Sequence, residues 1–223
     1  MKTILVIVAH PDDEALGCGG TVARLVSEGK DVHLLCLTNG VSARASADET
    51  DASQRSDALR NSSEILGLKT VQCLDLPDNK MDSLPLLDVV QQIESVIADI
   101  KPDTIFTHYA HDLNVDHRVT YQAVVTATRP QIGQTVREIL MFEVPSSTEW
   151  AYGDSQSCFK PNVFFDVSNF MLKKIESLRA YDEEMRDFPH PRSYKAIEAV
   201  ATVRGAEVGV HAAEGFMLAR KLS

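Results

Sequence analysis

The chain opens with Ile4-Leu-Val-Ile-Val-Ala9, an unbroken apolar run that leads directly into the polar group His10-Pro-Asp-Asp-Glu14. A short continuous apolar run is typical of a strand that is covered on both faces, as in a parallel sheet. The next segment, from Ala15 to Glu28, has apolar residues at helical spacing and stops at Gly29, a residue favoured just past a helix end. This stretch therefore predicts a buried strand, a polar turn and a helix.

The same alternation continues along the chain. Further strands are predicted at residues 32–37, 71–74, 104–107, 136–142 and 163–167. Further helices are predicted at residues 54–66, 86–100, 117–128 and 171–181, and the last fifty residues are predicted to be mainly helical. The polar residues 38–53 are predicted to form a long loop, which in a compact domain is more often functional than idle. Such alternation implies parallel strands joined by right-handed crossovers, so we expect one doubly wound α/β domain over residues 1–223.

Composition argues against several classes of partner. The chain has 22 Lys and Arg against 32 Asp and Glu, a net charge of −10, which repels nucleic-acid phosphates and anionic lipid. No stretch approaches the roughly 18 apolar residues of a membrane-spanning helix, so we expect no nucleic-acid partner and no stable membrane insertion. The four cysteines are scattered without a C-x-x-C pair, which indicates reduced thiols and predicts a cytoplasmic protein. The oligomeric state is left open.

The group His10-Pro-Asp-Asp-Glu14 is the first candidate site, because ligands of doubly wound sheets lie beyond the carboxyl ends of the strands. Three carboxylates beside a histidine in one turn are costly unless a cation compensates them. Imidazole with carboxylate suits Zn²⁺ or a similar divalent metal. Pro11 stiffens the turn, so that His10 and one aspartate can converge while the other aspartate stays free. The alternative is that Asp12 or Asp13 only caps the following helix.

A second polar group, His111-Asp-Leu-Asn-Val-Asp-His117, follows the strand predicted at residues 104–107. Two histidines and two aspartates between a strand and a helix can complete a site with three protein ligands and one open position. The alternative is a solvated loop whose Asp116 caps the next helix. Because both groups follow strands at one edge of the sheet, metal binding is the favoured interpretation. His33, within a predicted strand, is expected to be structural, and the role of His108 is left open.

These motifs resemble those of a known family. Val8 to Glu14 with Gly17 to Gly20, together with Asp116-His-Arg118, is similar to the LmbE-like, or PIG-L, zinc deacetylases. The resemblance spans nearly the whole chain, through Arg55, Asp75-Leu-Pro-Asp-Asn79, His190-Pro-Arg-Ser193 and Gly205 to Arg220. It implies a Rossmann-like fold with a mainly parallel sheet and helices on both faces. It also implies hydrolysis of an N-acetyl group on a small glucosamine-type amino sugar or its conjugate.

Carried over residue by residue, the resemblance makes His10, Asp13 and His117 the zinc ligands, although another divalent transition metal could replace zinc. Asp12 becomes the general base that takes a proton from the metal-bound water. A free carboxylate suits that role better than a coordinated one, because it can accept a proton from a water already acidified by the metal. The acetamide carbonyl would lie on the zinc, which stabilises the oxyanion.

The resemblance also implies roles for residues around the metal. Arg55 and His190 are expected to bind substrate; the alternatives are a surface arginine and a loop histidine with a structural hydrogen bond. Asn114 and Asp116 are expected to be catalytic. Many family members have a histidine at the position of Asn114, and asparagine can donate a hydrogen bond to an oxyanion but cannot supply a proton. The general acid is therefore left open between Asp12, His111 and His190.

Three rival functions are weighed against this interpretation. A nucleotide-binding oxidoreductase would use Gly17-Cys-Gly-Gly20, but Val22 occupies the third glycine position of the fingerprint and the acidic turn lies where a pyrophosphate must approach. An amidase acting on another acyl group or a thiol conjugate is a second alternative. A catalytically inactive sugar-binding descendant is the third, and the survival of all three metal ligands and Asp12 argues against it.

Overall fold

A seven-stranded sheet forms the centre of the protein in a computed structural model, which describes residues 1–40, 49–153 and 158–223, and only the backbone of residues 49–52. The strands are β1 (Thr3–Val8), β2 (Asp31–Thr38), β3 (Thr70–Leu76), β4 (Thr104–His108), β5 (Glu138–Phe142), β6 (Val163–Asp166) and β7 (Ala213–Lys221). Their order across the sheet is β3-β2-β1-β4-β5-β7-β6. Strands β1 to β5 run parallel, and β7 is antiparallel to both of its neighbours.

Helices cover both faces of this sheet. They are α1 (Asp13–Ser27), α2 (Glu49–Leu66), α3 (Leu86–Ile100), α4 (Val115–Ala127), α5 (Met171–Arg179) and α6 (Tyr194–Val208). Alternate residues of β1 supply both cores: Ile4, Val6 and Val8 pack with α1, α2, α5 and α6, whereas Leu5 and Ile7 pack with α3 and α4. All five side chains are completely buried, as the unbroken apolar run predicts. The prediction of a doubly wound, mainly parallel α/β fold is confirmed.

The prediction that the last fifty residues are mainly helical is wrong, because Ala213–Lys221 is a strand. It inserts between β5 and β6, where Phe216 pairs with both Phe142 and Val163. Its sequence, AEGFMLARK, consists mostly of good helix formers and lacks β-branched residues. Pairing on both edges therefore overrides local propensity, which is a weak guide to structure when tertiary contacts oppose it.

The loop predicted at residues 38–53 is also shorter than expected, because α2 begins at Glu49 and not at residue 54. The first turns of this helix, Glu49-Thr-Asp-Ala-Ser-Gln54, are almost entirely polar, so no apolar periodicity signals them. Residues 41–48 of the predicted loop lie outside the described residues.

The glycines after the first turn serve packing. Helix α1 is kinked at Cys18, whose backbone leaves helical geometry. A Cβ at Gly17 would clash with the ring of Phe142 on β5, and one at Gly20 would lie 3.0 Å from the side chain of Val167. Close approach of the helix to the sheet therefore accounts for this glycine-rich segment without a bound phosphate.

The crevice of the fold lies between β1 and β4. These strands pair in parallel, with Val6 opposite Phe106, but α1 and α4, which follow them, pack on opposite faces of the sheet. The chain therefore diverges at the carboxyl ends of these two strands, which is where ligands bind in open α/β sheets. Within the described part of the chain, no helix has the length and apolar character needed to cross a bilayer.

Candidate metal centre

The turn after β1 separates its two aspartates. Asp12 has a φ of 110°, in a left-handed region that is strained for any residue with a Cβ. It occupies the N-cap position of α1, but its side chain makes no capping hydrogen bond, so the alternative of a mere cap does not hold for Asp12. Asp13 begins the helix, and its Oδ2 accepts the backbone N–H of His10 at 2.8 Å. The strained turn thus folds Asp13 back onto His10 and directs Asp12 elsewhere.

Glu14, the third carboxylate of the turn, is directed into the core. Its Oε1 accepts hydrogen bonds from Tyr181 at 2.7 Å and from Ser62 at 3.0 Å, and its Oε2 accepts the N–H of Asp12 at 3.1 Å. Burial raises the pKa of Glu14 to about 7. Glu14 therefore has hydrogen-bond partners of its own in the core, apart from the histidines that surround Asp13.

Asp13 lies among three imidazoles. Its Oδ2 is 3.3 Å from His10 Nδ1, 3.4 Å from His117 Nε2 and 3.4 Å from His108 Nε2. The side chain is completely buried, and its Oδ1 has no hydrogen-bond partner among the described residues. A buried carboxylate oxygen without a partner is costly, which indicates that a ligand completes this group.

The donor atoms fit a small divalent metal. His10, Asp13 and His117 each offer a ligand atom, and these atoms all lie within 4.8 Å of one another. A tetrahedral site with bonds of about 2.0–2.1 Å has ligand atoms about 3.3 Å apart, close to the separations around Asp13 Oδ2. Two imidazoles and a carboxylate are donors that zinc accepts. The structure therefore brings these three residues together, as predicted, while their role as metal ligands and the identity of the metal stay predictions.

His108 is next to the metal ligands but is already engaged. Its Nε2 accepts the N–H of Ala9 at 2.9 Å, and its ring stacks on that of His117 with centroids 3.8 Å apart. Burial, followed by the neighbouring charge of His117, lowers the pKa of His108 to about 3. His108 therefore packs against the cluster, and its Nε2 is already engaged with the backbone of Ala9. His33 is structural as expected, with Nδ1 2.7 Å from Thr70 Oγ1.

Carboxylate oxygens lie close to the outer nitrogens of both candidate histidine ligands. His10 Nε2 lies 3.2 Å from Asp116 Oδ2 and 3.3 Å from Asp78 Oδ1, and His117 Nδ1 lies 3.0 Å from Asp112 Oδ1. Such partners fix the orientation and tautomer of metal-binding histidines. Burial lowers the pKa of His10, but the hydrogen bonds with Asp116, Asp13 and Asp78 outweigh it and raise that pKa well above its usual value. The carboxylates of Asp13, Asp78 and Asp116 around His10 carry negative charge that favours a bound cation.

Asn114 and Asp116 hold the loop that joins the two halves of the site. Asp116 accepts the N–H of Asn79 at 2.6 Å and that of Met81 at 3.0 Å. The cap of α4 is Asn114, whose Oδ1 accepts the N–H of Asp116 at 2.8 Å, so the alternative in which Asp116 is the cap is wrong. Asn114 Nδ2 donates to Asn79 Oδ1 at 3.1 Å. Its contact with an oxyanion stays a prediction.

Two arginines hold Asp12. Its Oδ2 accepts Arg55 Nη2 at 3.1 Å and Arg192 Nη1 at 3.0 Å. Arg55 is 9% exposed and also binds Glu184 at 2.9 Å, so the alternative of a surface arginine is wrong. Burial raises the pKa of Asp12 and outweighs the lowering effect of Arg192 and Arg55. Sequence reasoning missed Arg192, although the segment that contains it, His190-Pro-Arg-Ser193, was noted.

His190 lies beside the site in a loop. Its Nδ1 accepts the N–H of Arg192 at 3.1 Å, and its ring meets the ring of Trp150 edge to face at 5.6 Å. The structure thus gives His190 the structural hydrogen bond of the alternative interpretation, and its substrate contact stays a prediction.

A polar cavity of about 260 Å³ opens onto this cluster. Its walls come from the turn after β1, α2, the loops after β3 and β4, and the segment before α6. Within the described residues the cavity is lined by His10, Asp12, Gly40, Arg55, Asp78, Asn79, Asn114, Glu184 and Arg192. Carboxylate, amide and guanidinium groups dominate the lining, which suits a ligand rich in hydroxyl and amide groups.

The comparisons with known proteins agree with this geometry. The sequence model of the PIG-L family, described as GlcNAc-PI de-N-acetylase, matches residues 5–128. YaiS, an uncharacterized deacetylase of Escherichia coli K12, is 32% identical over 187 residues, 81% of this chain and 90% of that protein. The diacetylchitobiose deacetylase of Thermococcus kodakarensis is 28% identical over 225 residues, 96% of this chain and 82% of that protein.

A solved structure extends the likeness to the whole fold. The 4-carboxy-2-hydroxymuconate hydratase GalB of Pseudomonas putida KT2440 matches with a TM-score of 0.80 and 22% identity, over 100% of this chain and 98% of that chain. At this identity the likeness concerns the fold alone. The family match covers more than half of the chain and includes His10, Asp13 and His117, and the likeness to YaiS extends it; this chain belongs to the PIG-L family.

Proposed function

We propose that residues 1–223 form one domain that hydrolyses the N-acetyl group of an N-acetylglucosamine-type amino sugar or its conjugate. The observation that carries this proposal is one carboxylate, Asp13, set among imidazoles with an unpartnered oxygen, beside a second carboxylate, Asp12, in the same polar cavity. This arrangement supplies a metal site and a separate base, the two parts that amide hydrolysis by water requires. The deacetylase relatives support the same chemistry.

His10, Asp13 and His117 would hold the metal. A zinc ion bound there supplies Lewis acidity, which polarises a carbonyl oxygen and lowers the pKa of water. Another divalent transition metal would accept the same donors.

Asp12 is the proposed general base. It lies next to Asp13 in the chain but points to Arg55 and Arg192 instead of the proposed metal ligands. Both arginines donate to Oδ2, which leaves Oδ1 for proton transfer. The two guanidinium groups fix the position of its carboxylate, and burial raises its pKa and so its affinity for a proton. Asp12 takes a proton from the water that attacks the acetamide carbonyl. Once protonated, it can return this proton to the amine that leaves.

The remaining walls of the cavity would bind the sugar. Asn79, Asn114 and Asp78 line the side of the cavity formed by the loops after β3 and β4, where amide and carboxylate groups can meet sugar hydroxyls. Arg55 belongs to the opposite wall with Glu184. Asn114 is the proposed hydrogen-bond donor to the oxyanion, in place of the histidine that many family members have.

An acetate-release assay tests the function. The purified protein, loaded with Zn²⁺, is incubated with N-acetylglucosamine and with N,N′-diacetylchitobiose, and free acetate is measured. We expect acetate from at least one of these sugars, and none with His117→Ala. Hydrolysis of other N-acyl or thiol-conjugate compounds without acetate release from either sugar would favour the alternative amidase. Sugar binding without any hydrolysis would favour the inactive descendant.

A further inference from the structure

The turn after β5 brings two hydroxyl groups to a buried carboxylate. Ser147 Oγ donates to Asp112 Oδ1, and Thr148 Oγ1 donates to Asp112 Oδ2 at 2.5 Å. The N–H of Asn114 adds a third hydrogen bond to Oδ1 at 2.9 Å. Asp112, Ser147 and Thr148 are all buried. The carboxylate of Asp112 therefore has a fixed orientation, set by a segment that lies 35 residues further along the chain.

The fixed carboxylate of Asp112 lies against a proposed metal ligand, His117. Its Oδ1 lies 3.0 Å from His117 Nδ1, while His117 Nε2 faces Asp13 Oδ2 at 3.4 Å. A carboxylate at Nδ1 favours the tautomer that carries the proton there. That tautomer leaves the lone pair of Nε2 free to bind a metal.

The turn itself is held in an unusual conformation. Ser146 has a φ of 66°, in the left-handed region that non-glycine residues adopt at a cost. The carboxylate of Glu149 accepts the N–H of Ser146 at 2.6 Å and that of Ser147 at 3.3 Å. Thr148 Oγ1 also accepts the N–H of Val144 at 2.8 Å. Several hydrogen bonds thus hold the turn in the one geometry that presents both hydroxyls to Asp112.

We propose that Asp112, held by Ser147 and Thr148, is a positioning residue that orients His117 toward the metal. This inference rests on the proposed metal site and extends it to the turn after β5. Sequence motifs after β1 and β4 supply the ligands, and the Ser147–Thr148 pair determines how well one of them is presented.

Zinc affinity measures this role directly. Wild type and variants are titrated with Zn²⁺ against a chromophoric chelator, without any sugar, and circular dichroism verifies that each variant is folded. Loss of such an outer carboxylate weakens metal binding by about 10–100-fold, so we expect a loss in this range for Asp112→Asn. For the double variant Ser147→Ala/Thr148→Val we expect a loss of about 10-fold, the lower end of that range, because Asp112 stays but is less well held.

Two further variants separate positioning from folding of the turn. Ser146→Ala removes a hydroxyl from the same turn, but Ser146 Oγ accepts Arg192 Nε at 2.8 Å, whereas the hydroxyls that donate to Asp112 belong to Ser147 and Thr148. We expect its zinc affinity to stay within about twofold of wild type, far below the effect of losing an outer-shell carboxylate. Thr148→Ser keeps the hydroxyl that donates to Asp112, so its zinc affinity should stay close to that of wild type and well above that of the double variant.

The outcomes distinguish this inference from the proposed function. A wild-type protein without affinity for Zn²⁺ would remove the metal site itself. A wild type that binds Zn²⁺, with an Asp112→Asn variant that binds it equally well, would overturn only the positioning role. Equal losses of zinc affinity in Ser146→Ala and in the double variant Ser147→Ala/Thr148→Val would attribute the effect to the turn as a whole and overturn the role of the hydroxyl pair.

Discussion

Helix α1 touches two clusters of buried charge, one at its first residue and one at its kink. At the kink, Glu214 from β7 accepts Gly20 N–H at 3.0 Å, Thr21 N–H at 2.6 Å and Lys174 Nζ at 2.5 Å. Lys174 also donates to the carbonyl of Leu16 at 2.8 Å. One positive charge meets one negative charge, and the amides released by the kink are satisfied by the same carboxylate.

The cluster at the start of the helix is different. Asp13 has an oxygen without a partner among the described residues, and further carboxylates surround the imidazoles of His10 and His117. Buried polar groups in native proteins are nearly always hydrogen-bonded. The charged groups at the kink are paired with each other without any ligand, whereas, within the described part of the chain, the carboxylate of Asp13 at the first residue is not fully paired. Incomplete pairing of a buried charged group, and not burial of charge as such, distinguishes the candidate site from the cluster at the kink.

Removal of a metal ligand should give the largest effect. His117→Ala is expected to lose zinc binding and acetate release, because only two of the three proposed ligands remain. Elemental analysis after gel filtration measures the metal, and acetate release measures turnover. Full zinc occupancy at wild-type affinity in this variant would show that the ligand assignment is wrong.

Metal binding at the same cluster should raise the free energy of unfolding. A ligand that binds only the folded state adds about 2.7 kcal/mol to the free energy of unfolding when its free concentration is 100 times the dissociation constant. We expect wild type to lose about this amount when EDTA removes the metal, and His117→Ala to lose nothing. Urea unfolding with Zn²⁺ and with EDTA makes the comparison.

Substitutions of Asp12 and Asp13 compare a proposed base with a proposed metal ligand within one turn. Asp12→Asn should keep the metal but lose about 10²–10⁴ in turnover, the usual contribution of a general base. Asp13→Ala should mainly weaken metal binding, since Asp13 carries the unpartnered oxygen. Zinc content and kcat are measured for both variants. The opposite pattern would exchange the two roles, and little loss of turnover in either variant would argue against hydrolysis by this site.

Substitution of Lys174 tests the paired cluster at the kink of α1. Lys174→Met leaves Glu214 buried without its counter-charge, and breaking a buried pair in this way costs about 3–5 kcal/mol. The double variant Lys174→Met/Glu214→Gln should recover part of this loss, because no unpaired charge stays buried. The recovery is partial, because Gly20 and Thr21 donate to separate oxygens of Glu214 and glutamine keeps only one of them. Urea unfolding measures the change. Zinc affinity should be unaffected in the folded variants, and a large loss of zinc affinity would mean that the two clusters are coupled.

The sequence predicts the parts of the fold that have strong local patterns. Helix α3 spans the predicted residues 86–100, because Val89, Val90, Ile93, Val96 and Ile97 form one buried face at helical spacing. The unbroken apolar run of β1 was equally clear. Strand β7 has no such pattern, and its position between β5 and β6 depends on pairing with residues far away in the chain.

The site follows the same rule. The proximity of His10, Asp13 and His117 could be predicted, because two compact motifs follow neighbouring parallel strands. Arg192 contacts Asp12 across 180 residues, and Asp112 depends on hydroxyl groups of the turn after β5. Neither periodicity nor motif spacing predicts these two contacts, because each depends on how loops fold over the edge of the sheet.

The smallest expected effect on stability concerns Asn114, which lines the cavity of the candidate site but also has a structural role. Its Oδ1 caps α4, so Asn114→Ala should cost about 1 kcal/mol of stability, as loss of an N-cap typically does. If its Nδ2 also donates to the oxyanion, the same variant should lose about 2.7–4 kcal/mol of transition-state stabilisation. Asn114→Asp separates the two roles, because aspartate caps a helix as well as asparagine but offers no N–H. We expect Asn114→Asp to keep the cap but to lose the hydrogen bond from Nδ2 to Asn79 Oδ1, and so to lose less stability than Asn114→Ala. Its turnover should fall like that of Asn114→Ala, at unchanged zinc content. Wild-type turnover in both variants would confine Asn114 to capping, and the oxyanion would then depend on the metal or on another donor of the cavity.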